Sequence, residues 1–303
     1  MSASVNQSAS SLAAFFKTQR GQVDAELDRL LPGAAEYPES IHQAMRYSTL
    51  AGGKRLRPIL CLEAGKLFGG EDTAILPAAC ALELIHTYSL IHDDLPALDN
   101  DDLRRGKATC HKVFGEATAI LAGDALLTLA FEVISGAGRC DAGAKLRVVN
   151  ELSHAIGTRN GMVAGQVVDL ESGKHQVTPA IVGFIDTAKT GALIRIAVRS
   201  GAILAGADEA GLNAVTVYGE KAGLAFQIAD DLLDVLGSEQ ALGKAVRKDG
   251  AQHKATYPAL YGVERSKSMA AGLVEEACSA LDACGGRSQR LQDIAHYLVE
   301  RNS

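Results

Sequence analysis

Two groups of aspartates in this chain are spaced to hold a divalent cation. The first runs Ile91-His92-Asp93-Asp94-Leu95-Pro96-Ala97-Leu98-Asp99-Asn100-Asp101-Asp102-Leu103-Arg104-Arg105-Gly106, so a carboxylate run precedes two arginines. On an unbroken helix Asp93 and Asp99 would point well apart around the axis. Pro96 changes this, because it ends the helix and lets the chain curl Asp99 back toward a cation held by Asp93. In the second group, Phe226-Gln227-Ile228-Ala229-Asp230-Asp231-Leu232-Leu233-Asp234, the residues Gln227, Asp230 and Asp234 share one helical face, with Asp231 beside them. Their neighbours Phe226, Ile228, Leu232, Leu233 and Leu236 are apolar, which points the acids into an internal cavity. An all-oxygen donor set selects a hard ion. Mg²⁺, held by one or two carboxylates plus substrate phosphates, suits it better than an all-protein calcium cage.

Residues that bind phosphate accompany the acids. Gly52-Gly53-Lys54-Arg55-Leu56-Arg57-Pro58 places Lys54, Arg55 and Arg57 on a glycine turn that leads into a helix N-terminus, an arrangement suited to diphosphate. Arg104 and Arg105 adjoin the first acidic group, while Lys189-Thr190 and Lys244 lie on other segments. Singly, each would be an ordinary surface cation.

Helices must position these groups. Amphipathic or apolar helical patterns cover residues 12–31, 41–50, 73–92, 117–135, 142–168, 179–205, 210–236, 266–284 and 288–300, and alternating strand patterns are almost lacking. The near-continuous apolar run 73–92 reads as a central helix buried by protein rather than a membrane span, since Pro77, Glu83, His86, Thr87 and Ser89 interrupt it. Composition agrees with a helical globule. The 303 residues carry a net charge of −6, 22% are charged and 47% hydrophobic, which excludes a disordered chain and a nucleic-acid binder working by counterion release. Aromatics make up only 5% and Trp is absent, so Ala, Leu, Ile and Val must build the core. Six cysteines without a CxxC pair read as reduced core thiols. The polar Ser-rich start, residues 1–11, reads as a frayed tail of a cytoplasmic protein, and residues 12–303 as one all-α domain.

These motifs resemble those of the short-chain trans-polyprenyl diphosphate synthases, in particular the bacterial-type farnesyl diphosphate synthases. The resemblance spans about residues 37–262 and rests on GGKRLRP at 52–58, HTYSLIHDDLPALDNDDLRRG at 86–106, GQVVD at 165–169, KT at 189–190, FQIADDLLD at 226–234 and LGK at 242–244. It implies the all-α isoprenoid synthase bundle around a central cavity, and a homodimer. By that similarity Asp93, Asp94, Asp99, Asp230, Asp231 and Asp234 gather about three Mg²⁺ on an allylic diphosphate. Arg104, Lys189, Lys244 and Lys254 hold the same diphosphate. Isopentenyl diphosphate takes Lys54, Arg57, His86 and Arg105. Thr190 and Gln227 turn oxygen dipoles toward a developing carbocation, and Gln166, Asp169 and Phe226 line the cavity.

Product length in such enzymes follows cavity depth below the first aspartate motif. Tyr88, with Ser89 beside it, occupies the floor position and implies a fifteen-carbon product, (E,E)-farnesyl diphosphate. Geranyl or geranylgeranyl diphosphate synthesis is the nearest alternative. A terpene cyclase would carry Asn, Ser or Thr and Glu in its second metal motif, and a non-catalytic prenyltransferase subunit would tolerate loss of an acidic group. Here both groups are complete.

Overall fold

Leu12, Phe16, Val23 and Leu27 recur at helical spacing and lie buried along α1 (Ser2–Leu30). The computed structural model describes residues 2–137, 139–172, 178–242 and 256–300. Helix α1 continues back to Ser2 through the segment that reads as a frayed tail. Ala, Ser, Val and Gln there carry no helix-breaking Gly or Pro.

Helix α2 (Glu39–Thr49) leads to the glycine turn, and α3 (Leu56–Leu67) buries nearly every residue, with Pro58 in its first turn. Helix α4 (Asp72–Asp93) is the apolar run expected to be central. It packs against α1, α3 and α6 (Glu116–Gly136), and most of its apolar stretch lies inside the protein. By length and composition alone, α4 and α6 are both long and apolar enough to cross a membrane. After α4 the chain makes a short hairpin of β1 (Leu103–Arg104) and β2 (Lys107–Ala108), then α5 (Cys110–Phe114). The helical periodicity gave no sign of that hairpin, which is only two residues per strand.

Two expected helices are interrupted. The 142–168 pattern divides into α7 (Ala142–Ile156) and α8 (Met162–Ser172). Between them a Cβ on Gly161 would collide with the carbonyl oxygens of His154, Ala155 and Gly157, so the bend needs glycine. The 179–205 pattern divides into α9 (Pro179–Ile185), a π-helical segment at Asp186–Gly191, and α10 (Ala192–Leu204). A π turn fits one extra residue into otherwise continuous helix, so an apolar period hardly registers it.

Helix α10 packs on α3 and on α11 (Glu209–Leu242). The approach to α3 is close. A Cβ on Gly201 would fall on the carbonyl of Cys61 and crowd the backbone of Gly65. Helices α12 (Tyr257–Tyr261), α13 (Val263–Ala280) and α14 (Gln289–Glu300) complete the bundle, α13 and α14 against α11. The cysteines are all free thiols, with Cys61, Cys80 and Cys110 buried.

Candidate active site

Helix α4 ends at Asp93, and the chain after it curls as Pro96 predicts. The Asp99 N–H donates to the Asp93 carbonyl at 2.8 Å, and the Asn100 N–H to the Leu95 carbonyl at 3.1 Å. That curl brings Asp99 beside Asp93. Burial pushes the Asp93 carboxyl up to about 6; Asp99 and Asp94 push the same way, while Lys189 and Arg104 oppose. Asp94 points elsewhere: it is buried, and its Oδ1 accepts from Arg104 Nε at 2.5 Å. Arg104 also reaches Asp101 at 3.2 Å.

The second aspartate group lies on α11. Asp231 is buried, with Oδ1 accepting from Gln227 Nε2 at 3.0 Å and Oδ2 from the Tyr257 N–H at 3.2 Å. Burial holds its carboxyl up near 6 despite those donors, and Asp234 and Asp230 add repulsion. Asp230 is more open and faces Lys54 Nζ at 3.8 Å, while Asp234 is exposed. Asp94 and Asp231 are thus engaged by protein donors, Asp230 faces Lys54, and Asp93, Asp99 and Asp234 complete the two acidic groups.

These donors fit Mg²⁺. Like charges are held close on both helices, and two carboxyls are raised by burial and repulsion that a dication would relieve. Among the described residues no three acidic, His or Cys side chains make a ready-made cage.

A pocket of about 750 Å³ opens beside Asp230, lined by Lys54, Arg57, Glu83, His86, Arg104, Arg105, Thr190, Phe226 and Gln227 among others. Lys54 lies over the Phe226 ring, 5.2 Å from its centroid. Gly53 sits at φ +142°, and a Cβ there would strike the Arg105 guanidinium, so the glycine turn also makes room for a cation from the other side. Burial, reinforced by Arg57, Arg105 and Arg104, holds the His86 imidazole well below its ordinary pKa, so it stands neutral between guanidiniums and can donate one N–H.

Arg55 does not join the phosphate-binding set. Its backbone is left-handed at φ 51°, which turns the side chain inward. There Nε donates to Asp24 at 2.7 Å, Nη1 to Glu83 at 2.9 Å and Nη2 to the Thr49 carbonyl at 2.7 Å. Burial pulls its pKa down, and Glu83 and Asp24 more than offset that. Glu83, which the sequence left without a role, is therefore the buried partner of Arg55. Glu83→Ala removes the buried one of the two carboxylates on that guanidinium and, with Asp24 still in place, is expected to cost at or below the lower end of about 3–5 kcal/mol, read from urea unfolding. A loss below about 1 kcal/mol would contradict the assignment.

A second cavity, about 340 Å³, continues from the first, sharing Arg57, His86, Leu90 and Thr190. Its walls include Tyr88, Ser89, Asp93, Leu98, Met162, Val163, Gln166, Val167, Leu170 and Leu193. The π segment contributes Lys189 and Thr190 at the junction. Lys189 Nζ donates to Asp169 at 2.8 Å, and Gly165 lets α8 touch the Lys189 backbone, which accounts for both ends of the GQVVD motif. Phe226 lines the cationic pocket, not the apolar one, and Asp169 acts on Lys189 rather than on the cavity wall. Lys244 and Lys254 lie outside the described residues.

Sequence reasoning missed Asp186, the first residue of the π segment. It is 5% exposed, and its Oδ2 meets no hydrogen-bond partner among the described residues. Burial, with Asp231 and Asp169 nearby, raises its carboxyl to about 8. The one available signal was an acid inside the apolar run IVGFIDTAKTG.

A charged mouth opening onto an apolar cavity is the arrangement that suits a transferase of prenyl diphosphates. Residues 38–294 match the family model described as polyprenyl synthetase, and the chain belongs to that family. It is 49% identical to a geranylgeranyl diphosphate synthase of Cyanophora paradoxa, over 88% of this chain and 89% of that protein. It is 45% identical to a farnesyl diphosphate synthase of Geobacillus stearothermophilus, over 88% and 90%. A solved structure titled FPP/GFPP synthase, from Zymomonas mobilis, superposes with a TM-score of 0.85 at 37% identity, covering 96% of this chain and 99% of that one. The isoprenoid synthase bundle is thus the fold.

Proposed function

We propose that this prenyltransferase condenses isopentenyl diphosphate with dimethylallyl and then geranyl diphosphate, and stops at farnesyl diphosphate. One observation supports that stop: Tyr88 is 7% exposed and forms part of the wall of the apolar cavity below Asp93. A twenty-carbon product is the second reading, favoured by the likeness to the Cyanophora enzyme.

Chemistry assigns the side chains. Ionisation of an allylic diphosphate leaves a carbocation and concentrates negative charge on the leaving group. Arg104 and Lys189 flank Asp93 and meet that charge. Mg²⁺ bound through Asp93, Asp99, Asp230 and Asp234 would supply the remaining neutralisation of the diphosphate. Lys54, Arg57, His86 and Arg105 hold isopentenyl diphosphate in the cationic pocket, presenting its double bond at the junction where Thr190 stands. Thr190 and Gln227 direct oxygen dipoles at the cation. Val163, Val167, Leu170 and Leu193 keep water from quenching it. Loss of a proton to the departed diphosphate restores the alkene.

A homodimer belongs to this reading. Ile120 and Leu121 are exposed on α6, whose apolar stretch is only one-third buried, and a second copy would cover that face. Incubation with isopentenyl diphosphate, dimethylallyl diphosphate and Mg²⁺ is expected to yield a fifteen-carbon diphosphate by mass analysis. A ten-carbon or twenty-carbon end product would replace the farnesyl assignment, and absence of condensation would remove the catalytic one.

A further inference from the structure

The cationic pocket is lined by Arg20, Lys54, Arg55, Arg57, Arg104 and Arg105, and acids already occupy three of these. Arg55 is held by Asp24 and Glu83, Arg104 by Asp94 and Asp101, and Lys54 faces Asp230. Arg57, Arg105 and Arg20 form no ion pair with a carboxylate among the described residues. The motifs accounted for Arg57 and Arg105. Arg20 comes from α1, well before the glycine turn, where the helical pattern marks it only as a polar-face residue.

We propose that Arg20 is a substrate-binding residue, the third guanidinium on the diphosphate of isopentenyl diphosphate, and that α1 thereby forms one wall of that subsite. The proposal rests on the assignment of the cationic pocket to isopentenyl diphosphate. Its geometry is anchored one turn along the helix. Asp24, at i+4 from Arg20 and so on the same face, accepts from Arg55 Nε at 2.7 Å and ties α1 to the glycine turn. Arg20 Nε donates to the Phe16 carbonyl at 3.3 Å, which leaves both terminal nitrogens for a ligand. Arg20 also borders a smaller pocket of about 140 Å³ lined by Phe16, Lys54, Leu56 and Tyr297 among others. An ionised diphosphate ester carries about −2 to −3, and three guanidiniums that form no ion pair among the described residues complement it in charge and in donor geometry.

The test is calorimetric titration of isopentenyl diphosphate into the full chain without Mg²⁺, comparing the parent with Arg20→Met and Arg20→Gln. Urea midpoints confirm that each variant is folded. Both variants are expected to bind about tenfold more weakly, with KM for isopentenyl diphosphate raised by the same factor while kcat and KM for the allylic diphosphate hold; Arg20→Lys should recover part of the loss. Parent-like affinity in both variants would overturn the role of Arg20. A parent protein that binds no isopentenyl diphosphate would overturn the assignment of the pocket itself, a result distinct from the first.

Discussion

Asp93→Ala and Asp230→Ala are each expected to lower turnover by about a hundredfold to a thousandfold or more, the scale set by removing a preorganised charge contact at a reacting centre. The two residues lie on different helices, Asp93 at the end of α4 beside the apolar cavity and Asp230 on α11 beside the cationic pocket. The folded state should not suffer. Burial is the main reason the Asp93 carboxyl is raised, outweighing the attraction of Lys189 and Arg104, so its removal relieves a desolvation cost. Steady-state turnover and urea unfolding in metal-free buffer together check this: activity falls while stability holds or rises. Near-parent turnover in either variant would refute the assignment of both motifs to one ion-assisted ionisation.

Tyr88→Ala is expected to move the main product from fifteen carbons to twenty or more. The Tyr88 ring meets His92 edge-on at 5.8 Å, and His92 in turn reaches the Ile120 carbonyl at 3.0 Å and packs where Gly123 has no side chain. The cavity floor is therefore a relay from α4 to α6, and deleting the phenol ring opens it toward α6. One side of that ring already borders open space, so the stability cost should lie at or below the lower end of the ~3–5 kcal/mol typical of deleting a buried aromatic. Product mass spectrometry reads the outcome. A product still confined to fifteen carbons would place the limit elsewhere.

Much of this site could be read from the chain itself. The aspartate spacing, the break at Pro96 and the apolar company of Asp230 carried the site because they are local: each depends on residues within a few turns of one another. Arg55 was misjudged because its fate rests on a left-handed backbone angle and on partners far along the sequence, Asp24 and Glu83, which a motif cannot display. Arg20 was overlooked for a related reason, since an arginine on the polar face of an amphipathic helix looks the same whether it faces solvent or a substrate pocket. The π segment escaped notice because one added residue scarcely disturbs an apolar period, yet it carries both Lys189 and Thr190.

The contact at Gly201 separates two properties of the enzyme. With the Cys61 carbonyl seated where a side chain would begin, α3 and α10 cannot slide past each other without collision. One begins just after the glycine turn and the other just after Lys189-Thr190, so the spacing between these two head-group stations is locked by backbone rather than by adjustable side chains. The apolar cavity is lined on other surfaces, by Tyr88 on α4 and by the apolar residues of α8. If Tyr88 sets the product length as proposed, exchanging it would change tail depth in this chain without altering the spacing that the α3–α10 contact fixes.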